Sequence, residues 1–359
     1  KNGFLRVVVM SSNMLKSPAA SSATGAEAAM PGSTTRHGVA GNATSLVDPV
    51  GRVMRKLRVS LTDACQYRCF YCMPEDATFT PPSHLLTPAE YGSICGELVA
   101  RGIEELRVTG GEPTVRAGFR EIMTTLSRLP ARRLSLTSNG QLLARHLAFL
   151  QGIGCTHLNI SLDSLDAGRF HRITRGGDFR TVTACIERAA AMGFTLKVNT
   201  VVFRGVNDDE IPGFVRWSEQ SGVEVRFLEF MKIGPGHATT FDRFVSADEM
   251  IAGLEPHVTL RPVTVPYDST SFVFETEGGG RIGFIASESK PFCGSCSRLR
   301  LSATGMLRSC LMSERGVSLR GLREREGDAV YAEALRDVLA MKPTARLESV
   351  AQAMHEIGG

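Results

Sequence analysis

Residues 57–72 read LRVSLTDACQYRCFYC, and this stretch decides the fold. Its first part, LRVSLT at 57–62, has the apolar and β-branched content of a buried strand. Its second part sets Cys65, Cys69 and Cys72 in one short loop at spacings of four and three. Three thiolates suit zinc or an iron–sulfur cluster. A closed zinc site wants a fourth Cys or His nearby. His84 lies twelve residues past Cys72, beyond Pro81 and Pro82, and fits that role poorly. A cluster held by three cysteines keeps one iron open to an outside ligand.

The same strand-then-loop unit recurs downstream. Strands are expected at ELRVTGG (105–111), LSLTSNG (134–140), HLNISLD (157–163), LKVNTVV (196–202) and EVRFLEF (224–230). Helices are expected at 87–102 and near 118–128, 141–151, 179–192 and 209–221. Thr87, Pro88 and Glu90 form an N-terminal capping box, and Gly102 suits the helix end. Six strands alternating with helices or crossovers imply a parallel sheet with right-handed connections. Several strands end in polar or glycine clusters: TDAC, TGGEP, TSNG, SLDS and EFMKIG. In parallel α/β barrels that rim is the ligand face. The pattern changes after about residue 235. A β-hairpin is expected at 271–287 around the glycines at 278–280, and a helix at 328–342. Three regions follow: 1–47, 48–234 and 235–359. The first is expected to be disordered or a wrongly extended start, rich in Ser, Ala, Gly and Thr. The second is read as the barrel, the third as a smaller region capping it.

Composition narrows the function. The chain has 359 residues, 43% hydrophobic and 22% charged, with a net charge of +4. Those are values of an ordinary globular protein. The charge is too weak and diffuse to argue for nucleic-acid or membrane binding, though a local basic pocket is compatible with it. No apolar run reaches the ~18 residues that span a bilayer. Of nine cysteines, six fall into two groups, Cys65/Cys69/Cys72 and Cys293/Cys296/Cys310. Cys95, Cys155 and Cys185 lie among apolar neighbours and read as core. An odd count and clustered spacing argue against a disulfide framework and for metal or cluster binding in a reducing, cytoplasmic compartment.

The CxxxCxxC of Cys65, Cys69 and Cys72, directly after the first strand and followed by the GGE of 110–112, resembles the radical S-adenosylmethionine (SAM) superfamily. The likeness goes further. LRVTGGEPTVR, LTSNG, NISLDSLD, KVNTVV, RFLEFM, the CxxC-x13-C with SRLRL, and the terminal Gly358-Gly359 are similar to the GTP 3′,8-cyclase family of molybdenum cofactor biosynthesis. The match runs from about residue 48 to the end.

The resemblance implies an incomplete (β/α)6 radical SAM barrel and an α+β C-terminal region with a second iron–sulfur cluster. It implies two [4Fe–4S] clusters, one on Cys65, Cys69 and Cys72 and one on Cys293, Cys296 and Cys310. The open iron of the first binds SAM, and one electron cleaves SAM to methionine and a 5′-deoxyadenosyl radical. That radical takes the ribose 3′ hydrogen of GTP, and the carbon radical attacks C8 of guanine. The open iron of the second engages the guanine base. SAM contacts fall on Tyr71, Gly111, Ser161 and Met231. GTP contacts fall on Arg58, Arg107, Thr137, Lys197, Arg298 and Arg300, with Arg226 a weaker candidate. No side chain is assigned as a catalytic acid or base. The implied partners are an external one-electron donor and the cyclic pyranopterin monophosphate synthase that takes the product; a homodimer is compatible with the resemblance. The Gly-Gly tail is expected to reach into the barrel.

Physical chemistry supports parts of this. Arg58, Arg107 and Lys197 sit in otherwise apolar strands, where a cation needs a partner, and a triphosphate is an apt one. Arg298 and Arg300 alternate, so both point to one side of a strand, and guanidinium forks suit phosphate oxygens. Two departures from the family pattern stand out: Ala64, where Arg is common, and Ser138, where Thr is common. The rival readings are a radical SAM peptide maturase with an auxiliary cluster, and a non-catalytic zinc-binding module.

Overall fold

The computed structural model describes residues 45–234 and 241–357. The expectations for residues 1–44 and for Gly358-Gly359 lie outside the described residues. The described residues begin slightly before residue 48. Leu46 is buried, and Val47 bridges to Val53.

Six strands follow as expected: β1 Lys56–Ser60, β2 Glu105–Thr109, β3 Arg133–Ser138, β4 His157–Ser161, β5 Thr195–Val202 and β6 Glu224–Glu229. Each pairs in parallel with the next. Between them lie α1 Pro88–Ala100, α2 Phe119–Ser127, α3 Leu147–Gly152, α4 Ala167–Thr174 and α5 Phe179–Ala191, with α6 Ile211–Ser221 before β6. The capping box at Thr87 and Glu90 starts α1. In α5, Val182, Cys185, Ile186 and Ala189 form the buried face that the i, i+3, i+4, i+7 spacing predicts. Burying an aliphatic side chain of this size is worth about 1.5–3 kcal/mol. The sequence pattern did not reveal α4. It is only eight residues long and starts on Asp166, whose side chain accepts from the Arg169 amide at 2.6 Å.

The strands alternate, and this positions the site. Leu57 and Val59, Leu106 and Val108, Leu158 and Ile160, and Val225 and Phe227 are buried in the main apolar core. The residues between them, Arg58, Arg107, Asn159 and Arg226, face the lumen and line its cavities. A lumen lined with cations and amides is a binding space rather than a packed core. Cys95, Cys155 and Cys185 are fully buried, as expected of core thiols.

The C-terminal region adds β7 Leu260–Val263, β8 Phe272–Thr276, β9 Arg281–Ile285, β10 Arg298–Leu301, β11 Met306–Arg308 and β12 Val317–Ser318. It does not sit on the barrel as a separate cap. The twelve strands form one sheet, in the order β12-β11-β10-β1-β2-β3-β4-β5-β6-β9-β8-β7. Strand β9 pairs in parallel with β6, and β10 in parallel with β1. Both open edges of the six-stranded arc are thus covered, which removes two exposed hydrogen-bonding edges. Residues 286–297 run from one edge to the other and carry Cys293 and Cys296. The last helix, Leu322–Ala340, breaks at Gly327, where φ is 85°. That break explains why the sequence pattern reads as helical only from 328. Among the described residues, no helix is long and apolar enough to cross a membrane.

Candidate active site

The first cysteine loop leaves the C-terminal end of β1 and is held from several sides. Arg68 donates from Nη1 to the carbonyls of Cys65 at 2.7 Å and Tyr67 at 2.9 Å, and from Nε to that of Glu75 at 3.2 Å. It provides support for the loop that Ala64 cannot. Asp63 accepts from the backbone and hydroxyl of Thr80 at 2.8 and 2.6 Å. Cys65 Sγ accepts from the Tyr67 amide at 3.4 Å and Asn139 Nδ2 at 3.6 Å. Burial pushes the Cys65 thiol up to about 11 and the Cys72 thiol up to about 12. Cys69 is also pushed well above its ordinary value by burial, then by Cys72 beside it. These thiols would shed their protons only to a positively charged partner.

The GGE motif is the other wall of the loop. The amides of Gly111 and Glu112 donate to the carbonyls of Thr62 and Ala64 at 2.7 and 2.8 Å. A Cβ on Gly111 would stand 2.4 Å from the Asp63 carbonyl oxygen and 2.5 Å from that of Ala64. The loop itself therefore requires glycine here, independently of any approach by SAM. Replacing Gly111 with Ala should push the loop outward, at a cost of about 1–3 kcal/mol. Thermal unfolding and iron content would both fall; an unshifted melting curve would show that the backbone yields freely. The buried Glu112 carboxylate accepts from the Thr114 amide and hydroxyl, the Ser138 hydroxyl and the Asn139 amide, at 3.0, 2.5, 2.9 and 2.7 Å. It pins the β2 loop to the β3 loop. Ser138 keeps the hydroxyl that this contact needs, so its departure from Thr is harmless at this point.

The second group is built on the crossing segment and the β10–β11 hairpin. Cys293 opens a short 3-10 turn, Cys296 precedes β10, and Cys310 follows β11. The electrostatics differ from those of the first loop. Burial opposes ionisation of Cys296, but Arg298 and Lys342 overcome it and bring the thiol down to about 6. Arg298 Nη2 donates to Cys296 Sγ at 3.4 Å, and its guanidinium lies over the Phe292 ring at 4.6 Å.

All six grouped cysteines line one cavity of about 340 Å³. Below it, toward the N-terminal strand ends, lies a second cavity of about 440 Å³. Arg58, Arg107, Asn159, Arg226, Thr270 and Arg298 line both. In register, Arg58 stands between Arg300 on β10 and Arg107 on β2. Burial holds the Arg58 guanidinium well below its ordinary range, and Arg300 and Arg107 add to this by repulsion. Burial likewise lowers Arg107 and Arg300 to about 10 each. A polyanion in this lumen would relieve that repulsion.

Two family models match the chain. Residues 59–218 match the radical SAM superfamily model, and residues 223–347 match the model described as Molybdenum Cofactor Synthesis C. A curated GTP 3′,8-cyclase from Synechocystis sp. is 46% identical over 315 residues, covering 88% of this chain and 95% of its own length. One from Rhodopseudomonas palustris is 40% identical over 83% of this chain and 88% of its own. The chain belongs to the GTP 3′,8-cyclase family. It is therefore a radical SAM enzyme, a class that uses SAM and a [4Fe–4S] cluster. Crystal structures of Streptococcus suis SuiB, one with S-adenosylmethionine bound, share the fold at TM-scores of 0.55 and 0.56 with 11% identity. The alignments cover about four-fifths of this chain (81% and 80%) and 67% and 68% of the SuiB chains.

Within this GTP 3′,8-cyclase fold, the sequence-derived candidates Tyr71, Gly111, Ser161, Met231, Arg58, Arg107, Thr137, Arg298 and Arg300 all line the upper cavity with the cysteines. Lys197 does not. It faces the lower cavity, where its ammonium lies 3.0 Å from both Glu224 oxygens. Arg226 reaches the same carboxylate at 2.7 Å. Glu224 thus spaces two cations at the lower end of the lumen.

Several lining residues escaped the sequence reading. Asp163 is buried and accepts from the Tyr71 hydroxyl at 2.7 Å and the Val201 amide at 2.9 Å. Burial pushes its carboxyl up to about 6. It fixes the Tyr71 ring between Cys69 and Cys72. The SLD motif spans Ser161 and Asp163 alike, and only the fold brings Asp163 to Tyr71. Asn139, Arg346, Met354 and His355 also line the cavity. No local motif marks Arg346 or His355, because the fold brings them in from the chain's last turns.

Proposed function

We propose that this chain binds GTP in the lumen and joins its ribose C3′ to guanine C8. The product is (8S)-3′,8-cyclo-7,8-dihydroguanosine 5′-triphosphate, the first intermediate of molybdenum cofactor biosynthesis. One observation carries this reading: both cysteine groups face a single cavity, and that cavity runs into a lumen of guanidinium groups. A peptide substrate would have no use for buried arginines; a triphosphate would.

The donor sets fit clusters. Among the described residues, no three His, Cys, Asp or Glu side chains converge on one metal ion. A cubane takes each thiolate on a different iron and needs its ligands spread apart, whereas a zinc ion needs them together. Cys65, Cys69 and Cys72 would hold the cluster that contacts SAM. Cys293, Cys296 and Cys310 would hold a second [4Fe–4S] cluster beside the substrate. Together these groups supply one-electron, hydrogen-abstracting chemistry.

The chain's own residues bind, orient and exclude water. Tyr71, braced by Asp163, and Gly111, Ser161 and Met231 wall the SAM side. Arg58, Arg107, Thr137, Arg298 and Arg300 take the nucleotide, with Lys197 and Arg226 at its phosphate end below. The base then points up, toward the second cysteine group. Residues 48–234 form the barrel unit and 235–359 the region that closes it. An external one-electron donor and a cyclic pyranopterin monophosphate synthase would work before and after it, in the cytoplasm.

Anaerobic incubation with GTP, SAM and a reductant should yield 5′-deoxyadenosine and cyclised GTP in step. Turnover on a peptide without GTP would point to the maturase reading instead. Replacing Arg58 with Met should raise the KM for GTP by about ten- to a hundredfold, since hydrogen bonds to charged groups contribute about 1.5–3 kcal/mol. An unchanged KM would remove Arg58 from the phosphate site.

A further inference from the structure

Two cations outside the cavity grip the second cysteine group, and neither belongs to a recognised motif. Lys342 follows the last helix and is only 6% exposed. Its ammonium donates to the carbonyls of Arg298 at 2.7 Å and Ser309 at 2.8 Å. The Cys296 thiol lies close enough for its charge to be felt at the ammonium. An ammonium has three donors; two are spent on the hairpin that follows Cys296 and leads into Cys310. No carboxylate pairs with Lys342 among the described residues.

Arg52 takes the remaining ligand. Its Nη1 donates to the carbonyl of Cys293 at 2.6 Å and that of Pro343 at 2.9 Å. Its Nη2 donates to the Lys342 carbonyl at 3.3 Å, and its Nε pairs with Asp48 at 2.6 Å. The two side chains therefore form one clamp. Arg52 ties the Cys293 turn to the backbone at Lys342, and Lys342 ties that backbone to Arg298, two residues past Cys296, and to Ser309, just before Cys310. The backbone is thus held at Cys293 itself and within two residues of Cys296 and Cys310.

The charge argument agrees with the geometry. A buried ammonium without a carboxylate needs another anion. A [4Fe–4S] cluster on three thiolates brings net negative charge into the same buried place. We propose that Lys342, held in place by Arg52, is the positioning and charge-compensating residue of the second iron–sulfur site. This rests on the assignment of Cys293, Cys296 and Cys310 as cluster ligands. A cation this close also favours the reduced, more negative cluster, and so raises its potential.

The test compares anaerobically purified wild-type chain with Lys342→Met, Lys342→Arg and Arg52→Gln. Iron content, chelator resistance, circular dichroism and the potentials and spin-resonance signals of both clusters are followed. The wild type should carry about eight irons, from two four-iron clusters. Lys342→Met should fall toward about four irons, or retain a second cluster of lower potential. Lys342→Arg should lie between, and the SAM-responsive signal of the first cluster should survive in all. Wild-type iron, potential and chelator resistance in Lys342→Met would overturn the proposal. Should Lys342→Met fail to fold, wild-type chelator resistance in Arg52→Gln would overturn it equally. About four irons in the wild type would instead overturn the second-cluster assignment, and the clamp with it.

Discussion

Replacing Cys65 with Ala should abolish formation of 5′-deoxyadenosine, by at least about a thousandfold, or about 4 kcal/mol in barrier terms. The reason is the donor count. Cys65, Cys69 and Cys72 are the thiols proposed to hold the cluster that contacts SAM, and loss of one leaves a two-point attachment. Neither Asn139 nor the Tyr67 amide, the two donors on Cys65 Sγ, can replace a thiolate ligand. Iron should fall from about eight to about four per chain while the second site keeps its own. The fold should survive, because the loop is fastened by Arg68 and Asp63 rather than by the thiol. Cys185→Ala is the matched control: a fully buried thiol on the α5 face, whose loss should cost some stability and no SAM cleavage. Comparable loss of 5′-deoxyadenosine in both variants would show general destabilisation and sink the ligand assignment.

Much of this site was legible in the sequence, and the reason is local. The three-thiol loop, the GGE turn and the strand alternation are short-range patterns. Each constrains backbone and side-chain direction within a few residues. Alternation placed Arg58, Arg107, Arg298 and Arg300 on the lumen side because a strand has period two. The edges were not legible. Nothing within β9 or β10 states that they pair with β6 and β1, since pairing between distant strands is decided by the whole sheet. The expected cap therefore became two sheet extensions. The same limit hid Asp163, whose partner Tyr71 is 92 residues away. It also hid Lys342, which looks like an ordinary lysine after a helix until β10 and Ser309 are placed against it. Lys197 shows a finer limit. Its need for a partner follows from a cation in an apolar strand, but its height in the lumen depends on barrel stagger, which periodicity alone does not report.

Cys296→Ala should separate the two halves of the chemistry. Some SAM cleavage should persist, because the first loop shares no hydrogen bond with Cys296 among the described residues. Cyclised GTP should fall by at least about a hundredfold, close to 3 kcal/mol. Two physical effects combine here. The second site loses a ligand, and with it the group proposed to hold the guanine base against the reacting ribose; a nucleotide fixed only by its phosphates leaves its base free to swing. In addition, Arg298 and Lys342 lose the thiolate that faces both of them. Two cations then repel across an emptied position, and Arg298, which lines both cavities, loses the contact that fixes its guanidinium. The expected signature is uncoupling, with 5′-deoxyadenosine forming in excess of cyclised product. Mass spectrometry of the two products in one reaction measures the ratio directly. Full cyclisation in Cys296→Ala would mean that the second cysteine group is structural. Equal loss of both products would mean that the two sites are not separable, and that the second group also supports SAM cleavage at the first.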